Sequence, residues 1–138
     1  MTDVLDERDG YSIAEAADRL GVTPDTLRYY ERDGLMLRRV DRSTTGHRRY
    51  TESDLRWIDL LNCLRGTGMP IREVRQYAEL VRSGDGNELE RLELLRAHRE
   101  HVLAQLAEVT EHLGAIDRKI GIYTDKIDAL ALSAEIGA

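Results

Sequence analysis

Apolar residues first recur at helical spacing from Ile13, just after Ser12-Ile-Ala-Glu15, a hydroxyl followed three residues later by a carboxylate. That is the form of a capping box, and with Gly21 as the stop it predicts a helix over Ile13 to Leu20. Thr23-Pro24-Asp25 supplies a second start. A hydroxyl can cap, proline loses no intrahelical amide bond there, and the acid meets the positive helix end. This helix should run through Arg32 and stop at Gly34. Two short helices joined by Gly21-Val22-Thr23 make a helix-turn-helix, whose second member protrudes enough to enter a major groove. From Leu35 to Tyr50 the pattern alternates weakly around Ser43-Thr44-Thr45-Gly46, which predicts a short hairpin, or wing.

Helical spacing then returns. Thr51-Glu-Ser-Asp54 caps a helix of about fourteen residues whose apolar face is Leu55, Trp57, Ile58, Leu60, Leu61 and Leu64. Gly66 and Gly68 end it, and Pro70 begins a further helix carrying Ile71, Val74, Tyr77, Ala78 and Val81. Ser83-Gly-Asp-Gly86 is the clearest linker, and Asn87-Glu-Leu-Glu90 starts the longest periodic run. Steps of three and four from Leu92 pass through Leu95, Arg99, Val102, Leu106, Val109, Leu113, Ile116, Ile120, Tyr123, Ile127 and Leu130, with Arg99 the one charged position. This is the a/d seam of a coiled coil. Residues 88 to 125 alone would extend about 57 Å, far beyond a small N-terminal core, so the seam needs a second chain. Homodimerisation is expected through Leu95, Val102, Leu106, Val109, Leu113, Ile116, Ile120 and Tyr123. The predicted fold class is all-α with a small β wing. Its parts are a mobile acidic tail over 1–10, a winged helix-turn-helix over 11–82, a linker over 83–86, a dimerising coiled-coil helix over 87–130 and a C-terminal tail over 131–138.

Composition agrees with a helical chain: 41% of the 138 residues are hydrophobic, yet there is no Phe, one Trp and two Pro. The N-terminus has neither a basic start nor an apolar run, and no stretch approaches the roughly 18 apolar residues of a membrane span, which predicts a cytoplasmic protein with no membrane partner. A single cysteine, Cys63, excludes an intramolecular disulfide and an all-cysteine metal site within one chain. The formal charge of −6 is unevenly distributed. Acid dominates after Arg82, whereas Arg38, Arg39, Arg42, Arg48, Arg49 and His47 stand in the wing against one acid, Asp41. That segment is the concentrated cationic surface of the sequence.

Nothing in the sequence supports catalysis. There is no phosphate-cradling glycine loop, serine elbow or zinc-protease helix, and His47, His98, His101 and His112 lack metal-ligand partners at helical spacing. His98 and His101, one turn apart, could hold a metal between subunits, but solvent-facing coil histidines are the commoner outcome. No enzyme activity, metal or cofactor is expected. A dimer presenting two recognition helices can instead read two half-sites of DNA while its arginines displace counterions from phosphate.

Thr26-Leu-Arg-Tyr-Tyr-Glu31, Gly34-Leu35, Gly46-His-Arg-Arg-Tyr50 and Leu55-Arg-Trp-Ile58 resemble the DNA-binding domain of the MerR family of bacterial regulators. The likeness covers about residues 11 to 82, and the long helix after a short linker agrees with it. The resemblance implies a winged-helix homodimer with an antiparallel coiled coil that binds a palindromic operator in a promoter with a long spacer. It implies that the dimer bends and untwists the DNA so that RNA polymerase can engage the promoter. Carried onto this sequence, the family pattern places Arg28 and Tyr29 of the recognition helix and Arg42, Arg48 and Tyr50 of the wing at DNA. Asp25 and Thr26, in the first turn, are the candidates for base reading, while the arginines hold phosphate. Tyr30 and Tyr50 can equally be core aromatics, and Trp57 is read as core.

The signal sensed is less legible. No large ligand-binding domain is recognisable after the coil, and the paired cysteines and cysteine clusters of the metal and iron–sulfur members are absent from the sequence. Cys63 remains, in a setting similar to the thiol-dependent, NmlR/AdhR-like branch, where the resemblance implies a response to aldehydes, other electrophiles or oxidants. Locally, Asp59 and the negative end of its own helix oppose a thiolate, so a cation such as Arg99 would have to compensate. The plainer reading is a packing cysteine. Three alternatives therefore stand: a regulator sensing through Cys63, one without thiol sensing, and a coiled-coil interaction module whose winged helix does not bind DNA.

Overall fold

Local capping organises the N-terminal elements. In a computed structural model that describes residues 10–137, α1 (Ile13–Leu20) opens on Ser12, whose hydroxyl accepts from the Glu15 amide while the Glu15 carboxylate reaches back to the Ser12 amide. Gly21, at φ 68°, closes it in the left-handed conformation that glycine adopts at little steric cost. Helix α2 (Pro24–Arg32) is capped by Thr23, whose hydroxyl accepts from the Thr26 amide. A two-stranded antiparallel sheet follows, β1 (Asp41–Arg42) against β2 (Arg48–Arg49), with Asp41 opposite Arg49 and Arg42 opposite Arg48. Helix α3 (Glu52–Gly66) has a second complete capping box, Thr51 with Asp54, and α4 (Ile71–Arg82) starts after Pro70. The last element, α5, is a helix over Glu88–Ile136.

The chain divides into two compact units at His98 and Arg99, so α5 supplies its first turns to one unit and the rest of its length to the other. The first unit has a continuous core in which Leu27, Leu35, Val40, Ile58, Leu61 and Val74 are closed from solvent. Trp57 Nε1 donates to the Leu35 carbonyl at 2.8 Å, and the Trp57 ring stacks on Tyr77 with centroids 5.9 Å apart. Tyr30, also buried, donates its hydroxyl to Asn62 Oδ1 at 2.7 Å. In the second unit none of the described residues is buried within the chain, and Leu106, Val109, Leu113, Ile116, Ile120 and Tyr123 are each more than half exposed.

The architecture is the predicted one, helical with a small wing and a long terminal helix, and it differs in particulars. The wing is the short hairpin expected, with strands of two residues each, because Leu35, Met36 and Val40 turn inward and tie the approach to it into the core. Helix α5 runs past the expected end at Leu130 to Ile136, so the predicted tail over 131–138 is helical through most of its length. Leu95, expected on the dimer seam, instead packs with Leu94 against the core of its own unit. The apolar pattern is continuous there, but its first turns serve the fold of the single chain. The acidic tail expected over 1–10 lies, apart from Gly10, outside the described residues.

Candidate nucleic-acid interface

The recognition helix presents its predicted contacts on one exposed side. Asp25 accepts from Arg28 Nη1 at 2.7 Å one turn away, with the Asp25 side chain 91% exposed. Thr26 lies 3.0 Å, hydroxyl to hydroxyl, from Thr23, and Tyr29 is exposed beside the buried Tyr30. The first turn is thus rigid through its cap while its side chains stay accessible.

The wing is fastened at its base. Tyr11 and Tyr50 exchange two backbone hydrogen bonds of 2.8 Å, an isolated antiparallel bridge that ties the residue after β2 to the segment before α1. Gly10 makes that approach possible, because a Cβ there would lie 2.7 Å from the Tyr50 carbonyl oxygen and its φ is +74°. Arg49, 6% exposed, donates to the Gly10 carbonyl at 2.8 Å. At the tip, Ser43 and Gly46 close the turn by a 2.9 Å backbone bond. Beneath it, the Glu31 carboxylate accepts from Arg42 Nη2 at 3.2 Å and from Arg48 Nε at 2.5 Å.

These elements enclose a cleft of about 270 Å³ whose walls include Arg28 from α2, Arg42, His47 and Arg48 from the wing, and Ser12 and Ile13 at the start of α1. All three arginines predicted to meet DNA are therefore brought together. The beginning of α1, which sequence reasoning did not include, adds a positive helix end. Its capping box was visible in the sequence; its place beside the wing was not, since the Tyr11–Tyr50 bridge that sets it joins distant residues.

Tyr50 is a correction. Predicted at DNA, it is 1% exposed, and its hydroxyl has no hydrogen-bond partner among the described residues. Burial, with the Glu31 carboxylate adding to it, pushes the Tyr50 phenol up to about 12. The residue is a core anchor for the wing. Tyr30 is likewise raised by burial. At the surface, the hydroxyl of Tyr11 donates to Glu52 and accepts from Arg19, and the bond to Glu52 holds its proton more tightly than in a free phenol.

The cationic cluster is also less open than its composition suggests. Arg38 donates to Asp41 Oδ1 at 2.9 Å and to the buried Asp54 Oδ2 at 3.0 Å, so it supports the α3 cap rather than a ligand. Among the wing arginines, Arg42 and Arg48 keep side chains 37% and 26% exposed at the cleft.

Cys63, near the C-terminal end of α3, is exposed. The Thr67 hydroxyl donates to the Cys63 carbonyl at 2.8 Å and lies 2.7 Å from His98 Nε2, which brings an imidazole of α5 against Thr67, one helical turn after the cysteine. Arg99, the cation suggested for this role, pairs with Glu100 at 3.7 Å and belongs to the other unit. Among the described residues no helix is long and apolar enough to cross a membrane.

Comparison with known proteins agrees with this geometry. The MerR HTH family regulatory protein profile matches residues 11–80. An HTH-type transcriptional regulator of Haemophilus influenzae is 38% identical over 113 residues, 82% of this chain and 83% of its own length. AdhR of Bacillus subtilis, another HTH-type transcriptional regulator, is 37% identical over 92 residues, 67% of this chain and 65% of its own. The crystal structure of HiNmlR, a MerR family regulator lacking the sensor domain and bound to promoter DNA, matches with a TM-score of 0.78 at 37% identity, covering 83% of this chain and 86% of that one. This chain belongs to the MerR family of helix-turn-helix regulatory proteins, with relatives in its NmlR/AdhR-like branch.

Proposed function

We propose that this chain is a dimeric transcription regulator that binds a palindromic operator in the cytoplasm and reshapes it for RNA polymerase. The observation that carries the reading is the convergence of Arg28, Arg42, Arg48 and His47 with the start of α1 on one cleft beside the exposed side of α2. A related regulator with a TM-score of 0.78 to this chain is bound to promoter DNA, which supports the same ligand here. Asp25 and Thr26 read base edges, where a carboxylate accepts from cytosine and a threonine contacts either a base edge or a methyl group. Arg28, Tyr29, Arg42 and Arg48 hold the backbone and set the register.

Two copies are joined by an antiparallel coiled coil through Val102, Leu106, Val109, Leu113, Ile116, Ile120 and Tyr123. Most of this seam is exposed in the single chain, and a lone helix does not leave such a stripe to water without a partner. The pair then distorts a promoter whose spacer is longer than usual, and activation follows from DNA deformation. Fluorescence anisotropy with the DNA flanking the gene tests the core of this reading. Binding should fall steeply with salt, and Arg28→Ala or Arg48→Ala should weaken it across sequences and lower the salt slope by about 1 each. Affinity indifferent to salt and to both substitutions would favour a protein-binding winged helix instead.

A thiol signal through Cys63 is the second element of the proposal. Its exposure favours it, as does its place one turn before Thr67, whose hydroxyl lies against the His98 imidazole. Cys63→Ser should abolish induction by formaldehyde while leaving operator binding intact; an unchanged response assigns the regulator to a route without the thiol.

A further inference from the structure

Arg42 on β1 stands directly opposite Arg48 on β2. Like charges so paired on one face of an antiparallel sheet repel. A carboxylate from outside the sheet answers both. Glu31 Oε1 accepts from Arg42 Nη2 at 3.2 Å and Oε2 from Arg48 Nε at 2.5 Å. The Glu31 side chain is 20% exposed, less than either partner. It also sits in the last turn of α2, where the helix end disfavours an acid, so helical preference does not account for it. What accounts for it is the wing: one side chain of the recognition helix holds two cationic side chains of the hairpin in fixed positions.

We propose that Glu31 is a positioning and specificity residue for DNA, fixing the wing arginines relative to the recognition helix and imposing a charge penalty on any duplex that does not fit them. The inference rests on the DNA-binding function proposed above. An arginine already held by a carboxylate that bridges it to its neighbour loses less rotamer freedom when it takes a phosphate, so preorganisation favours the correct DNA. The same negative charge repels every phosphate near the cleft. Only a duplex whose backbone meets both arranged guanidinium groups offsets that repulsion. Removing the charge therefore moves the two kinds of binding in opposite directions.

The test uses the full chain, a duplex selected by the wild-type protein from a random-sequence pool, and a scrambled duplex of the same length and composition. Glu31→Gln should bind the scrambled duplex more tightly and the selected one more weakly, lowering the specificity ratio by about tenfold. Glu31→Asp retains the charge at shorter reach. It should weaken the selected duplex without strengthening the scrambled one, and it keeps the test decisive if the glutamine variant does not fold. In an Arg48→Ala background, Glu31→Gln should change the ratio much less. Parallel tightening of both duplexes would overturn the proposal, because Glu31 would then be only a nearby negative charge. Parallel weakening with a lower melting temperature would overturn it too, since the residue would then serve stability alone. Failure of the wild-type chain to select any duplex is a different result, and it would remove DNA binding itself.

Discussion

Leu27, Ile58, Leu61 and Val74 of the first unit are closed from solvent by neighbours within the same chain, whereas Leu106, Val109, Leu113 and Ile116 of the second face outward along one helix. Both regions follow helical periodicity, and both are rich in Leu, Ile and Val. The difference lies in how many elements each can fold against. Four short helices and a wing can enclose a volume. A single helix has only one side to offer and reaches stability when another helix covers it. The first unit should therefore keep its fold as one chain, and the second should depend on a partner. In the dimer proposed above, this division would keep each reading surface rigid while an interface that forms separately sets the distance between the two.

The strongest way to break that contrast is to place charges on the seam. Leu106→Asp combined with Leu113→Asp would bury unpaired carboxylates at a dimer interface, on the order of 3 kcal/mol each. Sedimentation should then report single chains, and the helical signal at 222 nm should fall as α5 frays beyond the first unit. The first unit should retain its own cooperative melting transition. Operator affinity should drop by about 100-fold or more, since one reading head has lost the avidity of two. A dimer of unchanged affinity in this variant would show that the exposed stripe is not the seam.

The same contrast explains what was legible in the sequence. Ser12 with Glu15, Thr23 with Thr26 and Thr51 with Asp54 act across three residues, so helix starts could be read directly from the chain. The seam was legible for a similar reason, because a repeat of three and four is a local rule. Tyr50 was misplaced because its burial depends on pairing with Tyr11, 39 positions earlier, and on Gly10 allowing the close approach. The clamp on Arg42 and Arg48 is not legible in the sequence, because Glu31 lies 11 and 17 residues from its partners. Leu95 looked like the rest of the seam, since periodicity does not say which partner covers a face.

Within the first unit, Tyr50 offers a sharper probe of closure. Its phenol is neutral when protonated, and burial holds the proton on up to about 12 instead of the ordinary 10. Below about pH 10 both folded and unfolded chains keep that proton, so its stabilising contribution is fully present. Between pH 10 and 12 the unfolded chain releases the proton while the folded chain retains it, and stability falls by about 3 kcal/mol across the window. Tyr50→Phe should remove this component, making the loss over that range shallower in denaturant titrations. Below pH 10 the substitution should be neutral or slightly stabilising, because the hydroxyl it deletes has no partner among the described residues. Equal slopes for the two proteins would mean that the phenol reaches solvent.

The smallest effect concerns the start of α3, where the wing ends and the helix carrying Cys63 begins. Thr51 accepts from the Asp54 amide at 3.0 Å, Asp54 accepts from the Thr51 amide at 2.9 Å, and Arg38 Nη2 reaches both side chains, at 3.3 Å and 3.0 Å. Thr51→Ala removes the hydroxyl but leaves the Asp54 carboxylate with its amide and arginine partners, so the cost should be about 1 kcal/mol, that of a single N-cap. Thermal melting should register this as a shift in the first unit's transition alone, with the helical content of the second unit unchanged. If both transitions moved together, the two units would be coupled through α5, and the rigid heads and the separately assembled rod would have to be treated as one cooperative structure.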